Sequence, residues 1–559
     1  MIPVRYDEQT AAEYKAKGYW SDEIYSDFWE ENARKYPDRE ALVDSKGKRL
    51  TWAEASKQIQ QVALKLVELG ISKDARVVIQ LPNCVEGFVA RLACEKAGAI
   101  SMTLMHTLRH KELEEIIGLL EASTVIIPYM YRNFDYYAMH REIQESLPLL
   151  KNVIVIGPEI PEGAISFDEI INTPTEKNYP SDYLKDRRLD PTHVGFLTTT
   201  TGTTGVPKVV EQTLAARLWS TKTHIKNWKL GPDDVVCAVA PWAGSPGGTP
   251  TYFCAPQVAA KIALLYEYTA PNALEFFQTE RVTIPAVVPA QLAMIIQEPL
   301  ENYDLSSIRA IRCSGGYLSP TLAEEVERKF GIPILSTYGS QDTGSVSGVA
   351  LTDSAEKRRS TVGRPLQGNQ IKIVDDAGII LPQGEVGQLY FRGPQSSSGY
   401  YRDPEKTFSE AYDAEGWASP GDLAKLDDDG YIVIAGRKKD IIIRGGQNIY
   451  PGEIENALMA HPKVSNIAVV AMPDKIMGEK ACAFVIPANP QDPLTFNEML
   501  VYLRTKKIAN YKLPERLEIV NTFPLASESK INKKRLREIV AAMLKEEGLF
   551  EERASGVFE

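Results

Sequence analysis

Along the first 350 positions, apolar residues recur in two alternating rhythms. Residues 28–34 and 52–69 carry them at intervals near 3.6, the period of a helix with one buried face. Residues 76–81, RVVIQL, form a nearly continuous apolar run that predicts a buried strand. Pro82-Asn83 ends it, and helical spacing returns over 85–97. Short β-branched runs follow at 123–128 and 152–157. This βαβα order predicts parallel sheets covered by helices.

From about 361 to 436 the texture changes. The segments QIKIVDD, GQLYFRG and GYIVIAG are parted by Gly, Pro and Asp turns, which predicts an antiparallel β unit. A charged, glycine-rich stretch, RKKDIIIRGG at 437–446, precedes a compact α+β pattern. That pattern has helices at 453–461 and 494–507 and strands at 464–472 and 481–486. The expected fold class is α/β. A large N-terminal domain, 1–438, holds parallel αβα sheets and a β-barrel-like subdomain at about 361–436. A small mobile α+β domain, 439–559, follows. The charged end beyond about 545 is expected to fray.

Length supports more than one unit, since 559 residues exceed a single ordinary core. A composition of 44% hydrophobic and 25% charged residues is that of a globular chain in water. No run of about 18 apolar residues predicts a membrane span. Residues 1–15 are polar and lack a signal-peptide core, so a cytoplasmic enzyme without integral membrane contact is expected. The net charge of −11 argues against a broad nucleic-acid surface, though not against a local phosphate pocket. Cysteines at 84, 94, 237, 254, 313 and 482 form no CxxC pair and are expected to be buried and reduced. His106 and His110 are four apart, and a loop or helix-start role is expected rather than a metal site.

The strongest chemical signal is TTTTGTTGVPK at 198–208. Gly202 and Gly205 let backbone N–H groups turn toward an anion, while Thr200, Thr201, Thr203 and Thr204 add hydroxyl donors. Lys208 adds positive charge, so the loop is suited to wrap a triphosphate. It is not a P-loop, because no Gly-Lys-Ser/Thr closes it. The bland alternative is a flexible polar loop.

TTGTTGVPK resembles the (S/T)SG(S/T)TGxPK signature of the adenylate-forming superfamily of AMP-dependent acyl-CoA synthetases and ligases. Further stretches match in order. YGSQD at 338–342 resembles YGxTE, WASPGD at 417–422 resembles WxxTGD, and GRKKD at 436–440 resembles GRxxD. RGGQNIYPGEIE at 444–455 resembles the stretch that follows in the family, and PLASESK at 524–530 resembles PxTxxGK. Residues 18–44, 77–83 and 147–157 resemble the branch of 2,3-dihydroxybenzoate–AMP ligases.

The resemblance implies a reaction in which ATP and a small-molecule carboxylic acid give an acyl-adenylate and pyrophosphate. Coenzyme A then takes the acyl group and AMP leaves. It implies ATP, Mg2+ and coenzyme A as cofactors. It places Thr200 to Lys208 on the β- and γ-phosphates, Gln341 on the α-phosphate, and Asp342 on Mg2+. Tyr338, Gly339 and the Ser314-Gly315-Gly316 segment would border adenine. Asp422 would accept both ribose hydroxyls, and Arg437 would contact ribose or phosphate. Lys530 would be the adenylation lysine, Lys439 the hinge, and Gly445 and Gly446 the thiol tunnel. Thr200, Asp342 and Lys530 are thus the implied catalytic set.

The sequence departs from the family at Gln341, Asp342, Pro420 and Ser529, where Thr, Glu, Thr and Gly are usual. The acyl region reads PWAGSPGG at 241–248. It lacks the His-Asn pair of the dihydroxybenzoate ligases, which makes that acid doubtful. Trp242, Gly244, Ser245, Gly247 and Gly316 are the expected acyl pocket, with Trp242 either a wall or a packed core aromatic. The acid is expected to be aromatic or alicyclic. Two alternatives stand beside the CoA ligase: an aryl-acid ligase that loads a separate carrier protein, and a non-catalytic nucleotide-binding protein. A homodimer is left open.

Overall fold

The computed structural model describes residues 1–200, 208–527 and 530–549, with the side chains of 526, 527 and 530 outside that description. Two large sheets form the N-terminal body. In one, strands Arg76–Ile79, Ile100–Thr103, Thr124–Pro128, Asn152–Ile156 and Val194–Thr199 run parallel. In the other, Glu40–Asp44, Val235–Ala238, Lys261–Leu264, Ile284–Val287, Ile311–Cys313 and Ile334–Ser340 do the same. Parallel strands need covering on both faces. Helices Trp52–Glu68 and Val85–Lys96 supply part of that cover. The first starts where its sequence says it should: Thr51 accepts from the Glu54 N–H, and Glu54 caps Thr51 in return. The second is buried almost all round, including Arg91 and Glu95.

The expected β unit is a four-stranded antiparallel sheet made from Gln370–Val374, Gly387–Arg392, Asp422–Leu426 and Ile432–Arg437. The smaller C-terminal domain pairs Val464–Asp474 with Gly478–Pro487 and packs helices Pro451–Met459, Phe496–Thr505 and Lys533–Glu546 around them. The second strand begins earlier than the apolar run at 481, because the hairpin continues the ladder through Glu479 and Lys480. All six cysteines are buried and free. His110 is the first residue of helix His110–Leu120, and its Nε2 lies 2.8 Å from Glu142. Among the described residues no helix is long and apolar enough to cross a membrane.

Candidate active site

The site forms at the carboxyl ends of the two sheets' strands, where open α/β sheets generally leave a crevice. Strand Val194–Thr199 turns back through the threonine–glycine loop into Val209–Thr213, with Thr199 paired to Val209. The Thr200 N–H donates to the Lys208 carbonyl at 3.0 Å and pins the loop's two ends together. Thr201, Gly202, Thr203, Thr204 and Gly205 lie outside the described residues.

Lys208 pairs with Glu410 and lies 4.8 Å from the centre of the Tyr400 ring. The Tyr400 hydroxyl donates to Asp342 Oδ2 at 3.1 Å. Burial, then the Asp342 charge, raises that phenol's pKa. Ser397 Oγ donates to the Asp342 carbonyl, and Gln212 Nε2 donates to the Gln341 carbonyl at 3.2 Å, so both residues are held by their backbone. The turn is tight: a Cβ on Gly339 would lie 2.4 Å from the Gly344 carbonyl oxygen.

Four residues before Asp342, the Tyr338 hydroxyl donates to Asp422 Oδ2 at 2.5 Å. Arg437 Nε stands 3.3 Å from the other Asp422 oxygen. Asp422 and Arg437 are direct partners across the antiparallel ladder, which explains their closeness. Burial raises the Tyr338 phenol, and the Asp422 charge adds to it. Thus Lys208, Tyr400 and Asp342 form one polar group and Tyr338, Asp422 and Arg437 a second, and the turn at 338–342 carries both in a single cluster.

This donor set fits a magnesium nucleotide. Mg2+ takes one or two carboxylates and completes its shell with phosphate and water. Asp342 offers one such carboxylate, joined through the Tyr400 hydroxyl to the surroundings of Lys208. Among the described residues no group of three or more His, Cys, Asp or Glu side chains could hold a metal alone.

Ser314 is buried, and its N–H donates to the Val287 carbonyl at 3.2 Å. Gly315 has φ +86°, and a Cβ there would lie 2.6 Å from Pro246 Cγ. The nearest atoms to a Cβ on Gly316 would be in Pro289, at 3.5 Å. Gly244 precedes the short helix Ser245–Gly248, where a Cβ on Gly247 would strike the Ala240 carbonyl oxygen at 2.3 Å. Trp242 sits in the core. It is 1% exposed, its indole N–H donates to the Pro82 carbonyl at 2.9 Å, and its ring centre is 5.1 Å from that of Phe88.

Lys439 occupies the short turn Lys438–Asp440 directly after Arg437. Burial lowers the pKa of its ammonium group, with the Arg437 charge adding to the effect. Gly445 and Gly446, at φ +55° and +84°, form the two-residue turn between Ile442–Arg444 and Gln447–Ile449. That geometry favours glycine without reference to any ligand. The Lys530 backbone lies in a small ladder with Leu525–Ser527, and its side chain is outside the described residues. Tyr400, Glu410 and Gln212 belong to the cluster although no motif singles them out. Their neighbours in sequence are unremarkable, and only the fold brings them to Lys208 and to the turn at 341–342.

Comparison with known proteins places this geometry. The AMP-binding enzyme family matches residues 29–401, and the AMP-binding enzyme C-terminal domain matches 453–530. The medium-chain fatty-acid–CoA ligase of Escherichia coli (strain K12) is 31% identical over 97% of this chain and 95% of its own. The 2,3-dihydroxybenzoate–AMP ligase of Bacillus subtilis (strain 168) is 31% identical over 96% of this chain and 98% of its own. The anthranilate CoA ligase AuaEII, solved with anthranoyl-AMP, superposes with a TM-score of 0.84 at 25% identity, covering 94% of this chain and 98% of that one. The chain belongs to the AMP-binding enzyme family. It is an adenylate-forming acid–thiol ligase, and ATP, Mg2+ and coenzyme A are the cofactors of that family's acyl-CoA ligase reaction.

Proposed function

We propose that this member of the AMP-binding enzyme family is an AMP-forming carboxylic acid–CoA ligase acting on an aromatic or alicyclic acid. A carboxylate oxygen attacks the α-phosphorus of ATP, the acyl–phosphate anhydride forms, and pyrophosphate leaves. The CoA sulfur then attacks the acyl carbon, loses its proton, forms the thioester and releases AMP. The first step opposes two anions, so cations and aimed N–H donors should supply most of the catalysis. The observation that carries the proposal is the pair of polar groups, Lys208 with Tyr400 and Asp342 and Tyr338 with Asp422 and Arg437, that meet at the turn 338–342.

Each residue has a role in this scheme. The loop from Thr200 to Lys208 receives the β- and γ-phosphates, and Gln341 meets the α-phosphate. Tyr338, Gly339 and the 314–316 segment border adenine. Asp422 exchanges its Tyr338 and Arg437 partners for ribose hydroxyls, for which an acceptor-only carboxylate is suited. Asp342 would hold Mg2+, which neutralises phosphate charge when bound. Lys530 bridges the substrate carboxylate and the α-phosphate as a compact cation. Gly244, Ser245, Gly247 and Gly316 surround the acid, with Trp242 packed behind them. The domains divide at 438/439, with Lys439 the hinge, and Gly445 and Gly446 face the CoA thiol arm after rotation.

AMP release against a panel of acids, with and without CoA, tests the proposal. CoA-dependent turnover is expected. An adenylate that CoA cannot discharge would instead indicate the carrier-loading alternative. Lys439→Pro should spare pyrophosphate exchange and slow thioester formation; normal overall turnover would refute the hinge.

A further inference from the structure

Three buried arginines flank the acyl helix, Arg312 at its start and Arg91 and Arg217 at its far end: Arg91 is 4% exposed, Arg217 9% and Arg312 1%. None forms an ion pair among the described residues. Arg91 donates no hydrogen bond there. Its guanidinium carbon stands 4.3 Å from the Tyr252 ring centre and 4.7 Å from those of Phe196 and Phe253. Arg217 shares two of those rings, at 5.7 Å from Phe196 and 5.2 Å from Phe253, and its Nη2 reaches only Gln212 Oε1, at 3.5 Å. Arg312 donates to the Pro246 carbonyl at 2.6 Å and to Thr337 Oγ1 at 3.0 Å, while its buried Nε has no partner among the described residues. Glu95, one helical turn from Arg91, is engaged by the Ser26 N–H at 2.6 Å.

Like charges gathered in a protein interior without an anion are costly, and ring faces compensate only in part. The cost is greatest for Arg217, whose proton affinity is lowered by burial and further by the Arg91 charge; burial lowers that of Arg91, and the Glu95 charge offsets it in part. The cluster also has a direction. The helix that begins at Ser245–Gly248, against Gly315, continues as Thr249–Cys254 and delivers Tyr252 and Phe253 onto Arg91 and Arg217. At its other side, Gln212 connects Arg217 to the Gln341 carbonyl. The guanidinium pair therefore lies at the far end of the element that flanks the reacting carboxylate.

We propose that the acid carries a second carboxylate on its aromatic or alicyclic frame, received by Arg91 and Arg217 while the first carboxylate faces the nucleotide. Arg312 positions the acyl helix through the Pro246 carbonyl. The inference rests on the acid-ligase function proposed above and adds the substrate's charge to it. A guanidinium fork matches a carboxylate in shape and charge, and Phe196, Tyr252 and Phe253 wall the guanidinium pair.

The test is ATP–pyrophosphate exchange by the full chain with matched acids. These are benzoate against benzene-1,3- and benzene-1,4-dicarboxylate, and cyclohexanecarboxylate against cyclohexane-1,4-dicarboxylate. A dicarboxylate is expected to exceed its monocarboxylate by about 100-fold or more in kcat/KM, as polar sites reject analogues that leave them unpaired. Arg217→Met and Arg91→Met should abolish the preference, and Arg217→Lys should keep part of it. Thermal stabilisation of the unaltered enzyme by the dicarboxylates alone supplies a measure independent of how the variants fold. Monocarboxylates that exchange as fast as their partners would overturn the inference and leave the ligase function intact. Exchange with no acid would overturn the adenylation function and this inference with it.

Discussion

At the nucleotide end of the site, the charges have partners within the protein; at the acyl end, the cations have rings and neutral oxygens. Lys208 holds Glu410, and Asp422 holds Tyr338 and Arg437. Among the described residues, Arg91, Arg217 and Arg312 hold no carboxylate. Solvent access explains the difference. Glu410 is 43% exposed at its side chain, so Lys208 can release it into water when phosphate arrives, and such surface pairs are weak. An acid partner for Arg217 would have to be broken in the interior, leaving a buried charge uncompensated. The cheaper arrangement is a site that waits without one.

The largest effect that could break this comparison lies in the lysine serving both ends. Lys530→Ala should slow pyrophosphate exchange by about 10^3-fold, the scale of removing a preorganised charge from a transition state. Thioester formation from a supplied acyl-adenylate should be nearly unchanged; equal losses in both half-reactions would remove Lys530 from its assigned role. Asp422→Asn should raise the KM for ATP by about 30-fold, since hydrogen bonds to a charged group contribute roughly 2 kcal/mol. The KM for the acid should move little, and a parallel rise would mean that Asp422 supports the whole site.

Glu95 sharpens the acyl side. Burial raises its carboxyl pKa to about 7, against 4.5 for an ordinary glutamate. In the folded enzyme it keeps its proton up to that value, while the unfolded chain loses it near 4.5. Stability from this group is therefore complete at low pH and falls as pH rises toward 7. Glu95→Gln should unfold later in urea than the parent by roughly 3 kcal/mol at pH 8. The gain should vanish near pH 4, and a gain independent of pH would show that Glu95 is ionised throughout. The smallest effect belongs to the nucleotide side. Glu410→Gln should lower the KM for MgATP by about 2- to 5-fold, the scale of an exposed pair. An unchanged value would mean that Lys208 is not restrained by that pair.

The sequence made much of this legible. Helix 52–69, the buried strand at 76–81 and the antiparallel segments after 361 are visible because burial imposes a period on the residues. The loop at 198–208 is visible because its residue types suit anion binding, and the stretch at 338–342 because it resembles a family motif. Tyr400, Glu410 and Gln212 left no such mark. A tyrosine or glutamate that meets its partner across the fold obeys no local spacing. Arg91 shows the same limit more sharply: within VEGFVARLACEK it has the look of a solvated helix position, yet it is buried among aromatic rings.

By itself, the sequence determined the α/β plan, the chemistry of the phosphate loop and membership of a family that activates acids. Each of these depends on patterns local to a few turns of chain. Only the tertiary structure decided which charges are paired and which are left waiting. The free energy of a charge depends on its distance from water and from other charges, and both are set by residues hundreds of positions away.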